Sequence, residues 1–127
     1  MSTDLVALKR LIKLPAEVAR GEWQTGKLAQ QGGDWWVAAI LEVGAEQMSR
    51  FLPGPALETA LDTPPGMSFG GSFAALKALP GAQRIKPDRL RLLVEVHGVE
   101  HYANSPLLGG NAIRLSSTQV FVVLWTS

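Results

Sequence analysis

Apolar and polar residues alternate along residues 89–99, RLRLLVEVHGV. The even-numbered positions are all aliphatic: Leu90, Leu92, Val94 and Val96. Alternation of period two places the two sets of side chains on opposite faces of a β-strand. The pattern therefore predicts a strand that begins near residue 89, buries its even-numbered side chains and runs to about residue 102.

Two other strands are predicted, over residues 35–43 and 112–125, and residues 35–41 of the first and 120–125 of the second are apolar at every position. The turn-forming QQGGD sequence at 30–34 predicts that residues 22–29 and 35–43 pair as a β-hairpin. A strand that is apolar on both faces needs cover on both sides. Residues 35–40 and 120–125 are therefore each predicted to be shielded on both faces.

Helical spacing is strongest at the N-terminus, where Asp4 is placed to cap a helix. The apolar stripe of this helix is Leu5, Leu8, Leu11 and Ile12. Pro15 ends the helix, and a second short helical piece is expected over residues 15–20.

The middle of the chain predicts two further short helices, over residues 45–52 and, with Ser72 as its cap, over residues 73–79. Residues 53–72 are rich in proline and glycine, which predicts a flexible loop with at most a helical turn at 56–61. Residues 104–111 are expected to form a turn.

These elements predict a single α+β domain over residues 1–127. Its mostly antiparallel sheet has four to five strands, with the N-terminal helix and one short helix packed on one side. A small β-barrel with an N-terminal helix is the alternative. Because the helices would cover only one side of the sheet, the other side is expected to be covered by another subunit or another protein.

The amino-acid composition supports the expectation of a partner. Charged residues make up 18% of the 127 residues and apolar residues 46%, so polar cover is thin, which favours self-association or a protein partner. A net charge of +1 gives no strong field toward nucleic acid or membrane. The absence of cysteine excludes disulfides and thiol catalysis. No signal-peptide or membrane-spanning pattern is found, so a cytoplasmic location is expected.

Two short motifs suggest chemistry, but their surroundings argue against it. Residues 66–70 fit G-x-S-x-G around Ser68, yet a buried strand cannot enter this turn through Pro64 and Pro65. Residues 97–101 fit the inverted zinc-peptidase pattern H-x-x-E-H, yet no acidic residue follows Glu100 to complete the site.

A metal held on one strand would use Glu95, His97 and His101, but alternate residues on a strand are spaced widely for ligands. No metal or cofactor is predicted. A small hydrolase using Ser68 remains an alternative function, although an enzyme is not the preferred class.

Single-stranded nucleic-acid binding is another alternative, because residues 77–91 are locally basic. The cations are Lys77, Arg84, Lys86, Arg89 and Arg91, and the aromatic residues expected nearby are Trp23, Trp35, Trp36 and Tyr102. The near-neutral whole chain argues against it.

The preferred function is a non-catalytic protein-interaction or assembly module. It would act as a homo-oligomer, or as a small inhibitor or structural component of a bacterial or phage assembly. The expected anchors are Trp23, Trp35, Trp36 and Trp125, with Arg89, Arg91 and His97 on a polar rim.

Overall fold

A computed structural model describes residues 1–29 and 31–126. The first part of the chain forms α1 (Leu5–Lys9), β1 (Arg20–Lys27), β2 (Trp35–Glu42), a 3₁₀ helix (Ala45–Gln47) and α2 (Met48–Phe51). The second part forms β3 (Leu61–Asp62), a 3₁₀ helix (Gly71–Ala78), β4 (Gln83–Lys86), β5 (Arg89–Leu92), β6 (Leu107–Arg114) and β7 (Gln119–Thr126).

The strands form two antiparallel sheets, of order β1-β2-β7-β6 and β3-β5-β4. This confirms the predicted α+β class with an antiparallel sheet, and no closed barrel forms within residues 1–29 and 31–126. The predicted hairpin is confirmed, with Thr25 opposite Val37. Between β5 and β6, the chain forms isolated bridges from Val96 to Glu58 and from His97 to Ala112 of β6.

Local sequence explains the start of α1. The Asp4 carboxylate accepts a hydrogen bond from the Ala7 backbone N–H at 3.1 Å, so the predicted cap is confirmed. The helical piece expected at 15–20 is wrong: Ala19 donates to the Glu42 carbonyl and extends the β1–β2 pairing. Nothing among the described helices is long and apolar enough to span a membrane.

The 3₁₀ helix Gly71–Ala78 has no side-chain cap. The prediction that Ser72 caps it is wrong, because the Ser72 N–H lies inside the first turn and donates to the Glu22 carboxylate at 2.8 Å. Residues 56–61 contain no helical turn either, since Leu57 donates to the Val96 carbonyl in an extended pairing.

The strand predicted over residues 89–102 ends at Leu92, although its alternation continues. Val96 is buried and Glu95 is exposed, as the pattern predicted. A turn follows, in which the backbone N–H of Tyr102 donates to the Val99 carbonyl. The turn predicted over residues 104–111 is too long, because β6 already begins at Leu107.

Residues 112–125, predicted as one strand, form the ends of two strands, β6 and β7, joined by a turn over residues 115–118. Gly110 of β6 approaches the neighbouring strand so closely that a Cβ there would lie 2.1 Å from the Val123 carbonyl oxygen. A glycine that is typical of turns is therefore required inside this strand.

The two central strands of the four-stranded sheet, β2 and β7, are buried on both faces, as predicted. One face packs against α1, α2 and the turn around Tyr102. The other packs against the second sheet and the 3₁₀ helix, where Phe73 meets Phe121 edge-on at 6.2 Å. The inference that another subunit must cover the second face is wrong, because this chain supplies that layer itself.

Candidate functional site

A cleft of about 400 Å³ opens where the edge of the second sheet approaches β6 and β7. We call it the Trp125 cleft. Its apolar walls are formed by Leu28, Ala60, Leu61, Pro64, Pro65 and Trp125, and its polar groups belong to Glu58, Asp62, Arg89 and Asn111. An apolar cleft with a few polar groups is the usual form of a binding site.

The walls of the cleft include residues from the outer strands of both sheets. Among the described strands, β3 pairs only with β5, and β6 is the outer strand of its sheet. On its outer side, the β6 backbone is hydrogen-bonded to Asn104 at Leu107 and to His97 at Ala112. Between these two bridges, residues 108–111 have no backbone partner outside β7 among the described residues. A short open strand edge therefore runs beside the cleft.

One arginine, Arg89, lines the cleft, and a second, Arg91, is paired with the cleft residue Asp62. The Arg89 guanidinium donates to the Thr63 carbonyl at 2.7 Å, which fixes its position on the wall. Arg91 donates through both Nε and Nη2 to the Asp62 carboxylate, at 2.8 and 3.1 Å. This hydrogen-bonded pair holds the pKa of Asp62 below its usual value.

The tryptophans of the chain have different surroundings. The Trp36 indole is buried and donates to the Pro65 carbonyl at 3.1 Å, behind the cleft. Trp23 donates to the Asp4 carbonyl at 2.9 Å, on the opposite side of the sheet. The indole of Trp125 is half-buried and donates to no atom of the described residues. It therefore remains able to bond to a ligand.

The structure thus brings together part of the predicted interaction set. Trp125 and Arg89 line the cleft, and Arg91 joins them through Asp62. Trp23 and Trp35 pack against the other hydrophobic core, and Trp36 is enclosed. The wall residues Asn111, Pro64 and Pro65 were not predicted. The only sequence signal for them was the proline pair, which was interpreted as a loop.

His97 lines a second cleft, of about 650 Å³, together with Glu46, Glu95 and Arg114. The Nδ1 atom of His97 is buried and has no hydrogen-bond partner within residues 1–29 and 31–126. His101 does not belong to this cleft; its Nε2 lies 2.9 Å from the Phe51 carbonyl. In the part of the chain that the structure describes, no three His, Asp or Glu side chains are grouped so that they could hold a metal.

Ser68 lies in a loop that is held by its own neighbours. The Gln24 side-chain amide bonds to both the N–H and the carbonyl of Ser68, each at 2.9 Å. The Ser68 hydroxyl accepts from the Gly70 N–H at 3.1 Å. Within the described residues no hydrogen bond joins Ser68 to a histidine, which is the contact that a catalytic serine needs.

The aromatic residues expected beside the basic segment 77–91 do not form a stacking surface. Trp36 is 1% exposed and Tyr102 is fully buried. Trp23 and Trp35 pack on the other side of the four-stranded sheet. The cations on β4 and β5 therefore lie without those four rings beside them.

No protein-family model matches the chain, and no match was found among the curated proteins or the solved structures.

Proposed function

We propose that the protein is a non-catalytic protein-binding module that holds a short, extended segment of another polypeptide. The segment pairs with the open edge of β6 and places an apolar side chain in the Trp125 cleft. The observation that carries this proposal is the adjacency of the two features: residues 108–111 lack an outer backbone partner and lie beside an apolar cleft. Addition of a strand to a sheet edge is a common mode of peptide recognition.

The edge of β6 differs from the other outer strands. β1 carries Arg20, Glu22 and Lys27, and Ser2 covers its backbone at Trp23 with hydrogen bonds of 2.8 Å. β4 carries Arg84 and Lys86. Charged side chains and local cover of this kind usually protect an edge from pairing with other chains. Residues 108–111 carry no charge, and Leu108 is 57% exposed.

The size of the open edge limits what can bind. The backbone bridges at Leu107 and Ala112 leave four residues, a length of about 13 Å at the usual rise of a strand. A second copy that paired β6 with β6 would need the space that His97 occupies beside Ala112. The site therefore suits a terminus or loop of a partner, and a homo-oligomer would have to use another surface.

Selection from a library of random peptides tests the proposal without knowledge of the natural partner. Peptides selected on the wild-type protein are then measured on Ala60→Trp, which fills the cleft from its wall. Ala19→Trp, at an exposed position before β1, is the matched control. We expect binding to weaken by about tenfold or more with Ala60→Trp, which corresponds to about 1.4 kcal/mol, and to stay unchanged with Ala19→Trp.

A second variant tests the strand edge. Leu108→Lys places a charge on the exposed edge, and Val6→Lys places one on α1, where Val6 is 64% exposed. We expect only Leu108→Lys to weaken the peptides. Selected peptides that bind all four variants as tightly as wild type, or a failure to select any peptide, would refute the proposed function.

A further inference from the structure

We infer that the Trp125 cleft selects a segment that carries a carboxamide side chain, Asn or Gln, two residues from its apolar side chain. This inference rests on the proposed function. The reason is that two polar groups of the cleft, the Trp125 indole N–H and the Asn111 carboxamide, have no hydrogen-bond partner among the described residues and lie beside the open edge of β6.

Strand register places both groups on one face of the sheet. Gly109 of β6 lies opposite Trp125 of β7, and alternate residues of a strand share a face, so Asn111 projects on the same side as the indole. The indole also leans over β6, because a Cβ on Gly109 would lie 2.6 Å from the Trp125 Nε1 atom. The missing side chain at Gly109 therefore allows the indole nitrogen to reach the outermost strand.

Neither group is satisfied by its neighbours. The side-chain hydrogen bonds of the cleft wall are made by Trp36, Arg89 and Arg91, and none of them reaches Asn111 or the Trp125 indole. Neither group is sealed from water, since the partnerless buried polar atoms of the described residues lie outside this cleft. Both groups are therefore open to a ligand.

A carboxamide is the side chain that complements this pair. The indole N–H only donates, whereas the Asn111 carboxamide both donates and accepts. A bound carboxamide has a carbonyl that accepts from either N–H and an NH₂ group that donates to the Asn111 oxygen. A lysine ammonium has no acceptor, and an aliphatic side chain would displace water from both groups without replacing its hydrogen bonds.

The charges of the cleft do not favour an ionised side chain. Asp62 is already paired with Arg91, and the other charged groups of the lining, Glu58 and Arg89, are opposite in sign. A bound carboxylate could accept from both N–H groups, but it would enter a lining that holds two carboxylates and one guanidinium. Hydrogen bonding to an uncharged group therefore decides the preference.

Pairing with β6 also sets the spacing of the two bound side chains. Residues that pair across neighbouring strands lie on the same face. The bound residues opposite Gly109 and Asn111 therefore both enter the cleft and are two residues apart. The first lies against the Trp125 ring, which suits an apolar side chain, and the second lies beside the Asn111 carboxamide.

Fluorescence anisotropy with labelled peptides of about nine residues, long enough to cover the open edge, tests the inference. The central residues are Leu-Val-Gln, Leu-Val-Leu, Leu-Val-Glu or Leu-Val-Lys between serine and glycine flanks. Each is also made in the reverse order, because a segment can pair with an edge in either direction. We expect the better Gln peptide to bind the wild type at least about tenfold more tightly than the Leu, Glu and Lys peptides.

Removal of the amide from the protein locates the effect. We expect Asn111→Leu to weaken the Gln peptide by about tenfold and to leave the Leu-Val-Leu peptide at least as tightly bound. Trp125→Phe removes the indole N–H and keeps a ring, so it should also reduce the ratio of the two affinities. Gln119→Leu removes the same amide group at the other end of β7 and should change neither affinity.

The comparison on the wild type uses no substitution, so it decides the inference even if a variant fails to fold. A Gln peptide that binds no more tightly than the Leu peptide, with both lost in Ala60→Trp, would overturn the inference and leave the proposed function intact. A Glu peptide as tight as the Gln peptide, a preference unchanged in Asn111→Leu, or binding of none of the peptides would also overturn it. The unbiased library decides the proposed function separately.

Discussion

The two faces of the four-stranded sheet are covered in different ways. On one face the covering layer consists of α1, α2 and the turn around Tyr102, and on the other it is a second sheet with a 3₁₀ helix. Both layers bury their core residues completely, as Leu8 on the first face and Phe73 on the second illustrate.

The two sides of the sheet differ in whether their polar groups already have hydrogen-bond partners. On the helical side, the Phe51 carbonyl at the end of α2 accepts from the Tyr102 hydroxyl at 2.7 Å and from His101 Nε2 at 2.9 Å. On the other side, the covering layer ends in strand edges, and the Trp125 cleft opens beside one of them. The backbone groups that are open beside this cleft belong to residues 108–111 of β6, the outer strand of the four-stranded sheet, which have no partner outside β7 among the described residues.

The largest expected effect concerns the two covering layers themselves. Phe73→Ala removes a fully buried ring from the sheet side, and Phe51→Ala removes one from the helical side. Each should lower the free energy of unfolding by about 3–5 kcal/mol, because a buried phenylalanine loses both its transfer free energy and its packing. Urea unfolding followed by tryptophan fluorescence measures both losses.

If the two layers form one cooperative unit, both variants unfold in a single transition with an unchanged slope against urea. A loss below about 1 kcal/mol for Phe73→Ala alone would show that the second sheet is only loosely attached. That result would show that the two covering layers do not contribute equally to the free energy of unfolding.

The sequence predicted the elements that cover the helical face better than the second sheet, which covers the opposite face. The Asp4 cap and the spacing of Leu5 and Leu8 are local signals that predict the start of α1, but the helix ends at Lys9 and not at Pro15 as predicted. In the second sheet only β5 was predicted, as the start of a longer strand, and β3 and β4 were missed because they are short. β3 has two residues, too few to show a period, and the following proline pair led residues 53–72 to be interpreted as a loop.

The candidate site was predicted only by residue type. Trp125 and Arg89 were singled out as an aromatic anchor and a rim cation, but nothing in their spacing placed them together. The cleft is built from segments that are far apart in the sequence, around Leu28, Ala60, Arg89, Asn111 and Trp125. Their meeting depends on the pairing of both sheets, which local patterns do not encode.

A smaller effect on stability is expected at the hydrogen bonds to the Phe51 carbonyl on the helical face. Tyr102→Phe removes the hydroxyl that donates to the Phe51 carbonyl, but His101 still bonds to that oxygen. The loss of stability should therefore be about 1 kcal/mol, the usual contribution of one hydrogen bond. A loss above about 3 kcal/mol would contradict this shared role.

Burial also raises the pKa of Tyr102, the only tyrosine in the chain, above that of an exposed phenol. In the unfolded chain Tyr102 ionises near its ordinary pKa of about 10, while the folded protein retains the proton. Its contribution to stability is therefore complete below about pH 10 and is lost as pH rises through the folded pKa. The wild type should lose stability in alkali more steeply than Tyr102→Phe, and equal slopes would contradict the shift.

The smallest expected effect lies at the rim of the cleft, where Asp62 pairs with Arg91. The hydrogen bond lowers the pKa of Asp62, so the contribution of the pair to stability is present above the ordinary pKa of an aspartate, about 3.9, and is lost as pH falls through the folded pKa. The pair is partly exposed, so this contribution is small and falls with added salt. NMR titration of the Asp62 carboxyl carbon should give a pKa below the reference value of an aspartate, which is about 3.9. The substitution Arg91→Gln should raise the pKa of Asp62. If Arg91→Gln leaves that pKa unchanged, the hydrogen bonds from Arg91 are not the cause of the shift.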